Sequence, residues 1–324
     1  MNENPYGLPE SFCSSILKEV TPEFLSTYPN CHDFIEAYSK YIGMGFGNVL
    51  PVNGSDMGIR LIYDSYVTPG SKVVGVSPSF EMYRIYSEMH GANFTAVRYN
   101  DDLTFDIESL ISEIDEKTAL VSLLNPNNPV GDVFSESDVR RIIETAKRYD
   151  AIVLIDEAYH YFNETSFLDL IKTYDNVIIL RTFSKIFSMA ALRLGVIISD
   201  ESVIQTIFKA QPSFDVNSIA LLFGKRIIES PELINQLVSQ FRECKDFAEK
   251  WLTDNGYEFI HSRTNFILIK PKCVTPESLK QALFEKKILI KTYGDHLLSG
   301  YFRINMASVD VLSDFFGKLQ EIDR

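Results

Sequence analysis

The sequence RTFSK at 181–185 closes an apolar run, and Arg193 follows Lys185 a short distance downstream. Lys185 therefore stands among two hydroxyls, Thr182 and Ser184, and a guanidinium fork, the donor types that hold a phosphate. An amine beside a phosphate site fits a covalently held, phosphorylated cofactor. Pyridoxal phosphate answers that description, because its aldehyde forms a Schiff base with lysine while its phosphate needs a separate anchor. Taken alone, the window reads as well as a surface lysine after a strand.

Other stretches bear on the choice. Asp156 ends the run AIVLI (151–155) and opens DEAY (156–159). A carboxylate at the end of a buried strand is costly unless a cation or several donors meet it. A protonated pyridine nitrogen is such a cation, and keeping it charged makes the ring an electron sink. The plainer alternative is an N-cap aspartate. Asn128, within NPNNPVG (125–131), and Tyr159 are placed to donate to the ring's phenolic oxygen, against a turn asparagine and a core tyrosine as the alternatives. NGSD (53–56) lies where an apolar run gives way to a helical pattern. Backbone N–H groups at Ser55 and Asp56, with Gly54 allowing close approach, then form a phosphate cradle. A simple N-cap by Ser55 competes with that reading. Phe80 follows another strand and is placed to stack on a ring, unless it is a core aromatic. Arg303, in YFRIN (301–305), interrupts an apolar strand and is best explained by an anionic group of a substrate.

Positioning these groups requires a sheet. Apolar runs at 49–52, 73–76, 94–99, 119–124, 151–155, 177–180 and 195–199 alternate with helical patterns, the signature of a mostly parallel α/β sheet covered on both faces. Ligands then belong at the strands' carboxyl ends. The glycines at 43, 45 and 47 lack the spacing of a dinucleotide fingerprint and follow a helix, so they read as a loop. Helices are expected at 9–20, 33–41 and 57–66. Beyond Ser218 the texture changes to helices at 231–252, 276–285 and 309–322 and strands at 257–261, 266–269, 288–290 and 301–306, a smaller α+β unit. The expected division is a large cofactor-binding domain over 28–218 and a small domain from 1–27 and 219–324.

At 324 residues the chain is long enough for two such units, and its 45% hydrophobic and 23% charged residues suit a globular enzyme. A net charge of −13 without a Lys/Arg-rich run argues against nucleic acid. Four scattered cysteines make neither a disulfide framework nor a zinc site, and no stretch reads as a signal peptide or membrane span. A cytoplasmic location follows as the expectation.

Taken in order, NENPYG, STYPN, NGSD, NPNNPVG, DEAY, RTFSK with Arg193, and YFRIN resemble the fold-type-I aminotransferases, most closely the histidinol-phosphate aminotransferases, over essentially the whole chain. The resemblance implies a seven-stranded, mostly parallel sheet, a smaller domain from both chain ends, and a homodimer with shared active sites. It makes Lys185 the Schiff-base lysine and Asp156 the pyridine-nitrogen partner. Asn128 and Tyr159 would hold the ring oxygen, and Phe80 would stack where tyrosine is usual. Ser55, Asp56, Thr182, Ser184 and Arg193 would hold the phosphate, with Tyr28 reaching over from the other subunit. Arg303 matches an arginine gripping the substrate's acidic group, and Asn4, Tyr6 and Lys291 complete the substrate side. Departures cluster there: Met57 replaces a usual acidic residue, Val130 a threonine, Lys291 an arginine, and Phe214-Asp215 a tyrosine-asparagine pair. The implied reaction is transamination between a small phosphorylated amine and a 2-oxo acid, 2-oxoglutarate. A decarboxylase of the same fold and a non-catalytic binding module are the rival readings. A nicotinamide oxidoreductase is disfavoured by the missing glycine fingerprint.

Overall fold

The computed structural model describes residues 2–163 and 165–324. Seven strands form the larger sheet: β1 (Val49–Val52), β2 (Lys72–Ser77), β3 (Asn93–Arg98), β4 (Thr118–Leu124), β5 (Ile152–Asp156), β6 (Val177–Thr182) and β7 (Gly195–Ser199). They lie in the order β1-β7-β6-β5-β4-β2-β3. Five neighbours from β3 to β6 run parallel, whereas β7 is antiparallel to both β6 and β1. Strands β4 to β7 are near-continuous runs of buried Val, Ile and Leu, as strands covered on both faces must be.

Helices supply the cover. The helix Gly54–Tyr66 packs on β6 and β7, and the helix Glu136–Lys147 packs on β5. The first of these approaches closely because Gly58 has no side chain: a Cβ there would lie 2.7 Å from a Leu180 methyl. Ser135 caps the second by accepting from the Asp138 N–H. Beneath the strand ends, Glu157 and Arg181 form a buried ion pair (Nη2 to Oε2 2.8 Å) completed by Ser166 and the Phe167 N–H. Neither residue leaves a buried side-chain nitrogen or oxygen without a partner, the condition for holding two charges out of water.

The second sheet is antiparallel throughout, with β8 (Glu258–Ile260), β9 (Phe266–Lys270), β10 (Lys291–Thr292) and β11 (Phe302–Asn305) in the order β10-β11-β9-β8. Beside it the helix Pro231–Asp254 buries Ile234, Leu237, Phe241, Cys244, Ala248 and Leu252, an apolar stripe at helical spacing. Trp251 of that helix stacks on Phe316 of the helix Val309–Ile322, ring centroids 4.2 Å apart.

Several boundaries differ from the sequence reading. The first long helix is Glu10–Leu17 rather than 9–20, and the helix expected at 57–66 begins at Gly54, with Asn53 rather than Ser55 at its N-cap. The strand expected at 288–290 does not form. Pairing with β11 begins at Lys291, which opposes Arg303, and leaves Leu289 80% exposed. The glycine-rich segment is a loop: Gly43 ends the helix His32–Ile42 in the left-handed conformation, and a short 3₁₀ turn follows.

Candidate active site

The carboxyl ends of the parallel strands converge on one cleft of about 820 Å³, to which Lys185, Asp156, Tyr159, Asn128, Phe80, Ser55, Asp56, Thr182, Ser184, Arg193 and Arg303 all contribute. The arrangement follows from topology. β1 ends at the NGSD turn, β2 at Phe80's turn, β4 at the asparagine-rich turn, β5 on Asp156 and β6 on Thr182. Because β7 runs the other way, its beginning lies on that same edge and brings Arg193 back beside Ser184.

Arg193 holds a left-handed backbone (φ 56°) and donates from Nη1 to Ser184 Oγ at 3.3 Å and to the Ala190 carbonyl at 3.1 Å. Its other amino group lies against Gly54, where a Cβ would come within 2.3 Å of Nη2. Gly54 itself has φ +78°, and Asp215 accepts from the Asn53 N–H at 3.0 Å to fix the turn. The start of β7 is equally tight: a Cβ on Gly195 would lie 2.5 Å from the Ser55 nitrogen. Hydroxyls of Ser55, Thr182 and Ser184, helix-start N–H groups and a guanidinium thus gather in one corner, donors of the kinds from which a phosphate accepts.

At the other end Asp156 is buried. Tyr83 donates to its Oδ2 at 2.9 Å and the Ala158 N–H to its Oδ1 at 3.0 Å. Burial outweighs these bonds and raises its pKa to about 6. A cation placed against that carboxylate reverses the penalty. Lys185 is shifted the opposite way: burial lowers its pKa, while Glu3 and Asp156 act to raise it. Its Nζ lies 5.7 Å from the centroid of the Tyr159 ring. Amine and carboxylate therefore face one cavity from adjacent strands.

Within NPNNPVG two of the three asparagines build the turn. Asn125 Oδ1 accepts from the Phe134 N–H, and Asn127 bonds Pro78 O, Ser79 and Tyr99. Asn128 is left to face the cleft, where its Nδ2 donates to Tyr159 Oη at 3.4 Å and its Oδ1 accepts from Arg303 Nη1 at 2.7 Å. The Arg303 guanidinium lies 4.8 Å over the Phe266 ring, and its buried Nε has no partner among the described residues. One carboxylate oxygen of Asp56 is likewise buried and unpartnered.

Four anticipated residues do not line this chain's own cleft, and of these Tyr28 alone is expected to serve another subunit's. Asn4 donates to the Ile186 carbonyl at 2.8 Å, and the Tyr6 hydroxyl meets Cys244 Sγ at 3.0 Å, so both side chains tie the N-terminal segment down instead of lining the cleft. Lys291 is exposed in a neighbouring groove beside Leu289 and Val311. Tyr28 is 74% exposed and stacks on Phe214 with centroids 4.4 Å apart, outside this chain's own cleft. Three residues unmarked in the sequence reading take part: Asn2 and Glu3 line the cleft, and Tyr83 serves Asp156. Tyr83 follows Phe80 by less than one helical turn, the one local cue to its reach.

The model of the family described as aminotransferase class I and II matches residues 1–311. The chain belongs to this family. A histidinol-phosphate aminotransferase of Thermoanaerobacter sp. (strain X514) is 31% identical over 325 residues, covering 99% of this chain and 91% of that protein. The crystal structure of the histidinol-phosphate aminotransferase from Clostridium acetobutylicum has a TM-score of 0.91 at 22% identity, covering 100% of this chain and 98% of that one. That of the Sinorhizobium meliloti enzyme in complex with pyridoxal-5'-phosphate scores 0.85 at 22% identity, covering 99% and 90%. These structures show the same fold.

This aminotransferase is a pyridoxal 5'-phosphate-dependent enzyme, and its cleft fits the cofactor. The corner made by Gly54, where a side chain would displace Arg193, leaves room for a phosphate, and a protonated ring nitrogen would offset the penalty that burial puts on the Asp156 carboxylate.

Proposed function

We propose that this aminotransferase moves an amino group between a small phosphorylated amine, histidinol phosphate or a related compound, and 2-oxoglutarate, with glutamate as the other amino carrier. The observation that carries the reading is Arg303: a cleft guanidinium with a buried, unpartnered Nε, held by Asn128 on the side of the Tyr159 hydroxyl. A fork with a free N–H suits a planar carboxylate or a phosphate. The names of the relatives at about 30% identity support the phosphorylated donor.

The residue roles belong to the same proposal. Ser55, Asp56, Thr182, Ser184 and Arg193 hold the phosphate end, Phe80 covers the ring, Asn128 and Tyr159 hold its oxygen, and Asp156 holds its nitrogen as a cation. When bound, pyridoxal phosphate supplies an electron sink for the bond broken at the substrate's α-carbon. Lys185 is the covalent anchor and, when free, the base that takes up and returns the α-proton at Nζ. Burial favours its neutral form, the form that accepts a proton. Arg303 orients the donor by its anionic group, and the same guanidinium receives the carboxylate of the 2-oxo acid.

The working unit we propose is a homodimer, supported by the exposed Tyr28–Phe214 stack, with Tyr28 serving the partner's cleft. Four unpaired cysteines agree with a reducing, cytoplasmic setting. No helix among the described residues is long and apolar enough to cross a membrane.

Amine donors are to be screened against 2-oxoglutarate, histidinol phosphate first, with Lys185→Ala as the blank. Glutamate formation that depends on a phosphorylated donor and disappears with Lys185 is the expected result. Carbon dioxide release without an oxo-acid acceptor would move the protein to decarboxylation, and turnover confined to unphosphorylated donors would remove the phosphate from the proposal.

A further inference from the structure

The N-terminal segment is fastened to the cleft by its own hydrogen bonds. The Asn265 amide donates to the Asn2 carbonyl at 3.0 Å, Ser188 donates to the Tyr6 carbonyl, and Asn4 and Tyr6 are engaged as described above. Asn2 is 5% exposed and Asn265 1% exposed. What this anchoring delivers is the Asn2 amide, whose Nδ2 donates to Tyr159 Oη at 2.8 Å.

A phenol oxygen carries one proton and two acceptor directions. Asn2 Nδ2 occupies one of those directions and Asn128 Nδ2, at 3.4 Å, approaches the other. Tyr159 Oη donates to no protein acceptor among the described residues, and its ring is held edge-on against Phe266, centroids 5.6 Å apart at 89°. With both acceptor directions filled and the ring locked, the proton is left pointing into the cleft. We propose that Asn2 is a positioning residue that commits the Tyr159 hydroxyl to donate toward the cofactor's ring oxygen. The inference rests on the proposed role of Tyr159 and goes beyond it in naming the group that sets that hydroxyl's direction. The hydrogen bond from Asn2 also opposes the rise that burial imposes on the Tyr159 pKa, which makes the phenol a better donor. The other charged or titratable groups about Tyr159 are Lys185, Arg303, Asp156, Tyr83 and Tyr293.

The test uses the full chain loaded with pyridoxal phosphate and reads the pH midpoint of the visible absorbance of the lysine-bound cofactor. A hydrogen bond to the ring oxygen lowers that midpoint, so weakening the donor raises it. In Asn2→Ala the midpoint is expected to rise by roughly half to one pH unit, the equivalent of one neutral hydrogen bond. The isosteric Asn2→Asp, whose carboxylate only accepts, moves it the same way. Tyr159→Phe raises it further, and adding Asn2→Ala to Tyr159→Phe changes nothing more, the non-additivity of two residues acting through one bond. An unmoved midpoint in Asn2→Ala with wild-type thermal stability, beside a shifted Tyr159→Phe, overturns the proposal for Asn2. Full additivity in the double variant does the same. An unmoved midpoint in Tyr159→Phe overturns the role of Tyr159 itself. Should the Asn2 variants fail to fold, Asn265→Ala, which releases the Asn2 carbonyl, is expected to raise the midpoint in the same direction, and no shift there counts against the proposal.

Discussion

Gly54→Ala tests the proposed phosphate corner by separating its part in the fold from its part in holding the cofactor. Gly54 has φ +78°, so an alanine there meets the left-handed penalty of about 1–2 kcal/mol in the folded chain. The new Cβ would also lie 2.3 Å from Arg193 Nη2 and 2.9 Å from its Cζ. The guanidinium is the end of a flexible side chain, so it swings away at little cost to the fold. It then no longer faces the phosphate. Losing one hydrogen bond to a charged group costs about 1.5–3 kcal/mol, which at about 1.4 kcal/mol per decade weakens cofactor binding by roughly tenfold to a hundredfold. Gly70→Ala is the control. Gly70 has φ +85° with no atom within 4 Å of the added Cβ, so it incurs the backbone penalty alone. Urea unfolding of the apoprotein is expected to give similar losses for the two variants, while fluorescence titration with pyridoxal phosphate shows the weakening only for Gly54→Ala. Cofactor affinity within about a factor of two of wild type in Gly54→Ala would refute the placement of Arg193 as a phosphate ligand.

Further outcomes follow from the same geometry. Asp156 has a folded pKa of about 6 against an ordinary 3.8, so its contribution to apoprotein stability is present below about pH 4 and lost as pH rises through 6. Urea unfolding across that window should show wild type losing about 3 kcal/mol relative to Asp156→Asn, and parallel curves would disprove the buried-carboxylate argument. Glu157→Gln leaves Arg181 charged and buried without its counter-ion, and a loss of about 3–5 kcal/mol in unfolding free energy is expected. Arg303→Lys keeps the charge but not the fork. The KM for a phosphorylated donor should rise at least about tenfold with a smaller change in kcat, read from initial rates.

Much of the site was legible because its residues stand where strands end. Buried strands are continuous apolar runs, and a polar residue closing such a run, as Asp156 and Thr182 do, marks the functional edge without further information. The contacts of Asn2 were not legible: it meets Tyr159 across 157 residues of chain, and no local pattern encodes that approach. Ile288, Leu289 and Ile290 read as a strand by composition, yet strand formation depends on an available partner, and β11 pairs only from Lys291 onward. Asn4 and Tyr6 stand in the NENPYG motif, which the resemblance places on the substrate side. Their side chains satisfy Ile186 and Cys244 instead, and it is the residues before them that enter the cavity.

The reversal of direction at β7 has an evolutionary corollary. It places Lys185, the proposed covalent anchor, and the Arg193 guanidinium near the two ends of one connection, the twelve residues from Phe183 to Leu194 that join β6 to β7. An insertion or deletion between them would change their separation, and Phe183, Phe187 and Leu194 bury the connection besides, so both the site and the core constrain its length. Change of substrate in this scaffold is therefore left to segments that can vary without disturbing that connection, among them the edge of the smaller sheet, where Lys291 is exposed.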